Sequence, residues 1–125
     1  MLNGSENQSL YRDHYELIED VGTKQAYSYL VGWASSLKHY DCLPSFHGVI
    51  RDFRLMHGSD WEFAFIPNQK WLLFYFRKPS LEYIKYSRHE IMSRFPEAKE
   101  NNAGEFTVKI STLSEAVKLA AYIES

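Results

Sequence analysis

The chain has 125 residues, 14 Lys+Arg against 16 Asp+Glu for a formal net charge of −2, and a single cysteine. Its 45% hydrophobic and 16% aromatic content excludes a mainly disordered chain. No apolar run approaches the ~18 residues of a membrane span, and the near-neutral charge excludes a protein that coats nucleic acid or anionic lipid without specificity.

The length suits one domain, large enough to fold without disulfides or metal. Cys42 cannot form an internal disulfide, and the opening MLNGSENQSL carries neither a basic nor an apolar signal region. The expected setting is therefore a reducing cytoplasm, with no membrane partner. Residues 1–8 are polar and expected to fray, which leaves 9–125 as one α+β domain.

Leu10, His14, Leu17, Ile18 and Val21 recur at helical spacing, with Ser9 placed to cap and Gly22 to stop the helix. A second stripe follows at Ala26, Tyr29, Leu30, Trp33, Leu37 and Tyr40, with Thr23 placed as its cap. Gly32 within it costs about 1 kcal/mol relative to Ala. Asp41 to Phe46 contains Pro44 and reads as a loop. The period then changes to that of a β-meander: His47 to Met56, Trp61 to Ile66 and Trp71 to Lys78, joined by HGSD and PNQK turns. Ser80 is placed to cap a helix through Arg94 whose inner side is Leu81, Ile84, Arg88, Ile91 and Phe95. Phe106, Val108 and Ile110 alternate with polar residues as a fourth strand. Thr112 to Glu115 is a capping box, and the last helix is expected to bury Leu113, Ala116, Val117, Ala120 and Ile123. The predicted order is α-α-β-β-β-α-β-α, a single sheet layer packed by helices.

The turns imply a register. If Met56 pairs with Trp61, Arg54 pairs with Phe63 and Asp52 with Phe65. If Ile66 pairs with Trp71, Phe63 pairs with Phe74, Glu62 with Tyr75 and Asp60 with Arg77. Opposed residues share a face. One face then holds Ile50, Met56, Trp61, Phe63, Phe65, Leu72, Phe74 and Phe76 as core. The other holds Val49, Arg51, Phe53, Leu55, Glu62, Ala64, Trp71, Leu73, Tyr75 and Arg77. An aromatic surface rimmed by Arg and Glu suits recognition. Within it Trp71 and Tyr75 are candidate anchors, Arg51 and Arg77 candidate ligands for acidic or phosphate groups, and Glu62 a residue that orients an arginine. The competing expectation is that a helix covers this face.

Chemistry-bearing motifs are sparse. His39, Asp41, Cys42 and His47 form the densest reactive stretch, so a thiol nucleophile at Cys42 activated by His39 or His47 is the enzymatic alternative. No protease signature surrounds Cys42. Cys42, His47 and His57 match no zinc spacing, and no glycine loop cradles phosphate. No catalytic residue, metal or cofactor is assigned. Charge is uneven: residues 1–20 carry net −4 and residues 51–94 net +3. The leading expectation is a non-catalytic binding or regulatory domain with a macromolecular partner. A protein partner or self-association suits the aromatic surplus, and the basic middle allows nucleic acid.

Overall fold

The structure is a computed structural model that describes the backbone of residues 4–47 and 50–124 and the side chains of residues 11–42 and 52–124. Two helices, α1 (Gly4–Leu17) and α2 (Val21–Ser36), precede four strands: β1 (Asp41–His47), β2 (Ile50–His57), β3 (Asp60–Pro67) and β4 (Leu72–Phe76). A short helix α3 (Lys78–Leu81), a 3-10 turn (Ile84–Tyr86) and α4 (Arg88–Arg94) follow. Then come β5 (Lys99–Glu100), β6 (Phe106–Ile110) and α5 (Leu113–Glu124). All strand pairs are antiparallel, in the order β1-β2-β3-β4-β6-β5. The class is α+β, as the sequence pattern implies.

Residues 41–46, expected as a loop, form most of β1 instead. Pro44 is tolerated because β1 is an edge strand, where a missing N–H need not face a neighbour. The helix expected from Ser80 to Arg94 is broken. Tyr83 and Ser87 are extended, and Ser87 caps α4 by accepting the Glu90 N–H at 3.3 Å. The break rotates the segment, so Ile91 and Phe95 are buried while Ile84 is 90% exposed and Arg88 faces solvent. Ser80 lies inside α3 and donates to the Arg77 carbonyl.

Gly22 does not end α1 but sits in the first turn of α2. A Cβ there would lie 2.7 Å from the Ser111 carbonyl oxygen, so close approach of the β6–α5 turn demands glycine. Asp20, not Thr23, caps α2: its carboxylate accepts the Thr23 N–H and hydroxyl, each at 2.9 Å. The same hydroxyl donates to the Lys70 carbonyl, and the N–H groups of Glu19 and Asp20 donate to the Gln69 carbonyl. The β3–β4 turn thereby holds the start of α2. At the start of α5 the capping box forms as the sequence predicts, with Glu115 accepting the Thr112 N–H and Thr112 accepting the Glu115 N–H, both at 3.1 Å.

The helices described here pack on one face of the sheet. Phe53, Leu55, Phe63, Phe65, Leu72, Phe74 and Phe76 are buried there against Tyr27, Leu30, Tyr86, Leu119 and Tyr122. Tyr27 meets Phe65 edge-on, and Phe76 contacts both Tyr86 and Tyr122. Each buried Phe contributes about 1.5–3 kcal/mol by leaving water. On α5, Leu113 and Val117 are exposed rather than buried, because Ala116, Leu119, Ala120 and Ile123 form its inner stripe.

Candidate functional site

Two registers decide what the helix-free face displays. In the first hairpin His57 pairs with Asp60 and Gly58, at φ 69°, takes the first of two loop positions, the arrangement of a type II′ turn. Met56 pairs with Trp61 as expected. One step later Leu55 pairs with Phe63, so Glu62 is an extra residue in β3. This β-bulge reverses the alternation on either side of it. Phe53 and Leu55 therefore enter the core, and Asp52 and Arg54 move to the helix-free face. Trp61, expected in the core, also turns to that face.

Glu62 moves the other way and is a correction to the expected patch. It shares the side of Phe63, is 5% exposed, accepts from Tyr40 at 3.4 Å and lies 2.9 Å from His57 Nδ1. Tyr40 packs on Phe63 and His57. Burial and then the Glu62 charge push the Tyr40 phenol well above its usual range. Glu62 thus engages Tyr40 and the exposed His57 at the hairpin end, not an arginine on the open face.

The second hairpin differs from expectation by two residues. Pro67 pairs with Leu72, and Phe65 and Phe63 pair with Phe74 and Phe76. A two-residue shift preserves sidedness. Trp71, Leu73, Tyr75 and Arg77 consequently share the helix-free face, as the sequence predicts. The backbone of Arg51 pairs with Phe46, and the Arg51 side chain lies outside the described residues, as do those of His47 and Ile50 and the whole of Val49.

The helix-free face is organised around Trp61, which lies between two guanidinium groups. Arg54 sits 4.3 Å and Arg77 3.9 Å from its ring centroid. Arg54 bonds Asp52 at 3.0 Å. Arg77 bonds Glu105 and Asp60, each at 3.0 Å, and donates to the Trp61 carbonyl at 2.7 Å. Thus Asp60 and Glu105, not Glu62, orient Arg77. Asp60 is held below its usual carboxylate range by the Trp61 N–H and then by Arg77. Beside this stack Tyr75 is half-buried. Its phenol is raised by burial, then by the charges of Glu105 and Asp52. Asp52 is only 5% exposed, and among the described residues its buried Oδ1 has no hydrogen-bond partner. Trp71, 36% exposed, carries Lys109 4.5 Å above its ring.

Past Trp71 the face runs into a cavity of about 750 Å³ at the β6 edge, lined by Leu73, Phe95, Lys99, Lys109, Ile110 and Lys118 among others. Sequence reasoning missed Asp52, Arg54 and Trp61 because a bulge between two hydrophobic strands leaves no local signature. It missed the cavity because strand order alone brings β6 beside β4.

Cys42 lies in β1 opposite Leu55, and burial pushes its thiol above the usual range. That opposes thiolate formation. His39 is exposed in the preceding turn. Among the described residues no group of three or more His, Cys, Asp or Glu is placed to hold a metal ion, and no helix is long and apolar enough to cross a membrane. Comparison of the chain with protein-family models, curated proteins and solved structures returned no match.

Proposed function

We propose that the chain is a non-catalytic protein-interaction module whose working surface is the helix-free face of the sheet. One observation carries this reading: a rigid antiparallel sheet displays Trp61, Trp71, Leu73 and Tyr75 on the side that the described helices leave uncovered. Aromatic rings with polar ends, fixed on strands, supply contact area at small entropic cost.

The charge pattern favours protein over nucleic acid. Arg54 is matched by Asp52, and Arg77 by Asp60 and Glu105. Two arginines of the basic middle segment, Arg54 and Arg77, are thereby paired on this face, which lowers the drive for counterion release from phosphates.

Affinity capture with three baits tests the proposal: the unmodified chain, Trp71→Ala, and Val117→Ala on the exposed side of α5. The reading expects the same captured proteins with the first and third baits and their loss with the second. Identical capture by all three, or a captured set that nuclease removes, contradicts it.

A further inference from the structure

We infer that the outer edge of β6 accepts an extended acidic peptide segment of a partner protein as an added strand; this inference rests on the protein-interaction reading above. β5 covers only the start of β6, with Glu100 opposite Phe106 and Lys99 opposite Thr107. Pairing stops at Thr107, two residues before Lys109, because the turn at Pro96 and Glu97 carries the chain away, and the Ala98 N–H closes that turn on the Phe95 carbonyl. Among the described residues nothing pairs with Val108, Lys109 and Ile110 on this side.

The hydrogen-bond phase follows from the hairpin. The Asn101 N–H donates to the Glu105 carbonyl at 2.9 Å. In an antiparallel ladder that role repeats every second residue. Glu105, Thr107 and Lys109 therefore present N–H and C=O toward the β5 side. For Lys109 both groups face the cavity of about 750 Å³ instead of a strand. An exposed edge beside a cavity is the requirement for strand addition, with main-chain bonds giving affinity and alternate side chains giving specificity.

The walls specify the occupant. A residue opposite Lys109 places its side chain on the face of Lys109 and Lys99. Its two neighbours point to the opposite side, toward Ile110 and Phe95, with Arg94 and Lys118 at the rim. Four cations line the cavity against two acids, Glu97 and Glu115; Glu115 is occupied in capping α5, Arg94 pairs with Glu90 and Lys118 donates to the Arg94 carbonyl, which leaves Lys99 and Lys109 against Glu97. The complementary ligand alternates acidic and apolar residues. Lys109 lies over Trp71, so the edge and the aromatic face form one continuous surface.

The pentapeptide Ac-Val-Glu-Val-Glu-Val-NH2 is the probe, titrated into the full chain with amide exchange at Lys109 read by NMR. Saturable binding and slowed exchange at Lys109 are expected. N-methylation of both glutamates, which removes their N–H donors, should weaken binding about tenfold or more, the equivalent of roughly 1.4 kcal/mol. Ac-Val-Lys-Val-Lys-Val-NH2 should bind still more weakly. Lys109→Pro, checked for folding by circular dichroism, should abolish binding. Equal affinity for the three peptides, or no saturable binding at millimolar peptide, overturns the inference. So does concentration-dependent protection of Lys109 in the chain alone, which would assign the edge to a second copy. If peptide binding fails while Trp71→Ala still loses captured proteins, strand addition is wrong and the interaction surface stands. If binding succeeds while capture is indifferent to Trp71, the edge stands without the face.

Discussion

The two faces of the sheet are made by the same strands but held by different forces. The helix-covered face is a continuous aromatic core: Phe53, Phe63, Phe65, Phe74 and Phe76 interlock with Tyr27, Tyr86 and Tyr122. The helix-free face is an alternation of rings and ion pairs, Asp52–Arg54–Trp61–Arg77–Glu105, whose charged side chains keep at most about a quarter of their surface in water. The first face is selected for burial. The second keeps large rings where burial is incomplete, and that arrangement is expected of a surface that meets something else. The bulge at Glu62 creates the contrast, since it delivers a carboxylate to the helix layer and a tryptophan to the open face in one step.

Truncation at paired positions breaks the comparison most forcefully. Phe74→Ala should cost about 3–5 kcal/mol through lost transfer energy and a residual cavity. Trp71→Ala, three residues earlier and on the opposite face, should cost less than about 1 kcal/mol, mainly the Lys109 contact. Urea denaturation with constant slope measures both. A Trp71 penalty as large as that of Phe74 would make the open face structural.

Two glycines of α2 give the next effect, and with opposite signs. Gly22→Ala forces a Cβ against the Ser111 carbonyl and should destabilise by about 1–3 kcal/mol, as overpacking does. Gly32 has open space where its Cβ would be. Gly32→Ala should therefore stabilise by about 0.5–1 kcal/mol through the lost freedom of the unfolded chain. Melting temperatures that move the same way for both would contradict the placement of α2 against the β6–α5 turn.

The smallest effect concerns how the helix layer is fastened. Asp20 is held below its usual pKa by the Thr23 N–H, then by the Thr23 hydroxyl. A group whose folded pKa is depressed contributes stability above its unfolded pKa and loses it as pH falls through the folded value. Asp20→Asn should keep the cap at neutral pH and flatten the acid side of the stability profile below about pH 4, the usual carboxylate range. An unchanged acid limb would remove Asp20 from that role.

Much of this architecture was legible in local signals. The capping box at Thr112 and Glu115, the alternation of Phe106, Val108 and Ile110, and the face shared by Trp71, Leu73, Tyr75 and Arg77 all appear as the residues imply. What was not legible is tertiary choice. Pro44 signals a loop unless the strand is at an edge. The segment after Ser80 has a helical pattern, but it breaks so that Tyr86 can reach the Ile123 carbonyl at 3.2 Å. The bulge at Glu62 is held within its hairpin by His57 and from outside it by Tyr40, which precedes β1. Each requires knowing which distant residue will be adjacent.

Photo-crosslinking in cells distinguishes the helix-free face from the rest of the surface. A benzoylphenylalanine replaces Trp71 in one variant and Val117 in the other, positions on the helix-free face and on the exposed side of α5. A discrete protein adduct is expected from position 71 and none from position 117. Adducts confined to position 117, or equal adducts from both, would contradict the assignment of the helix-free face as the working surface.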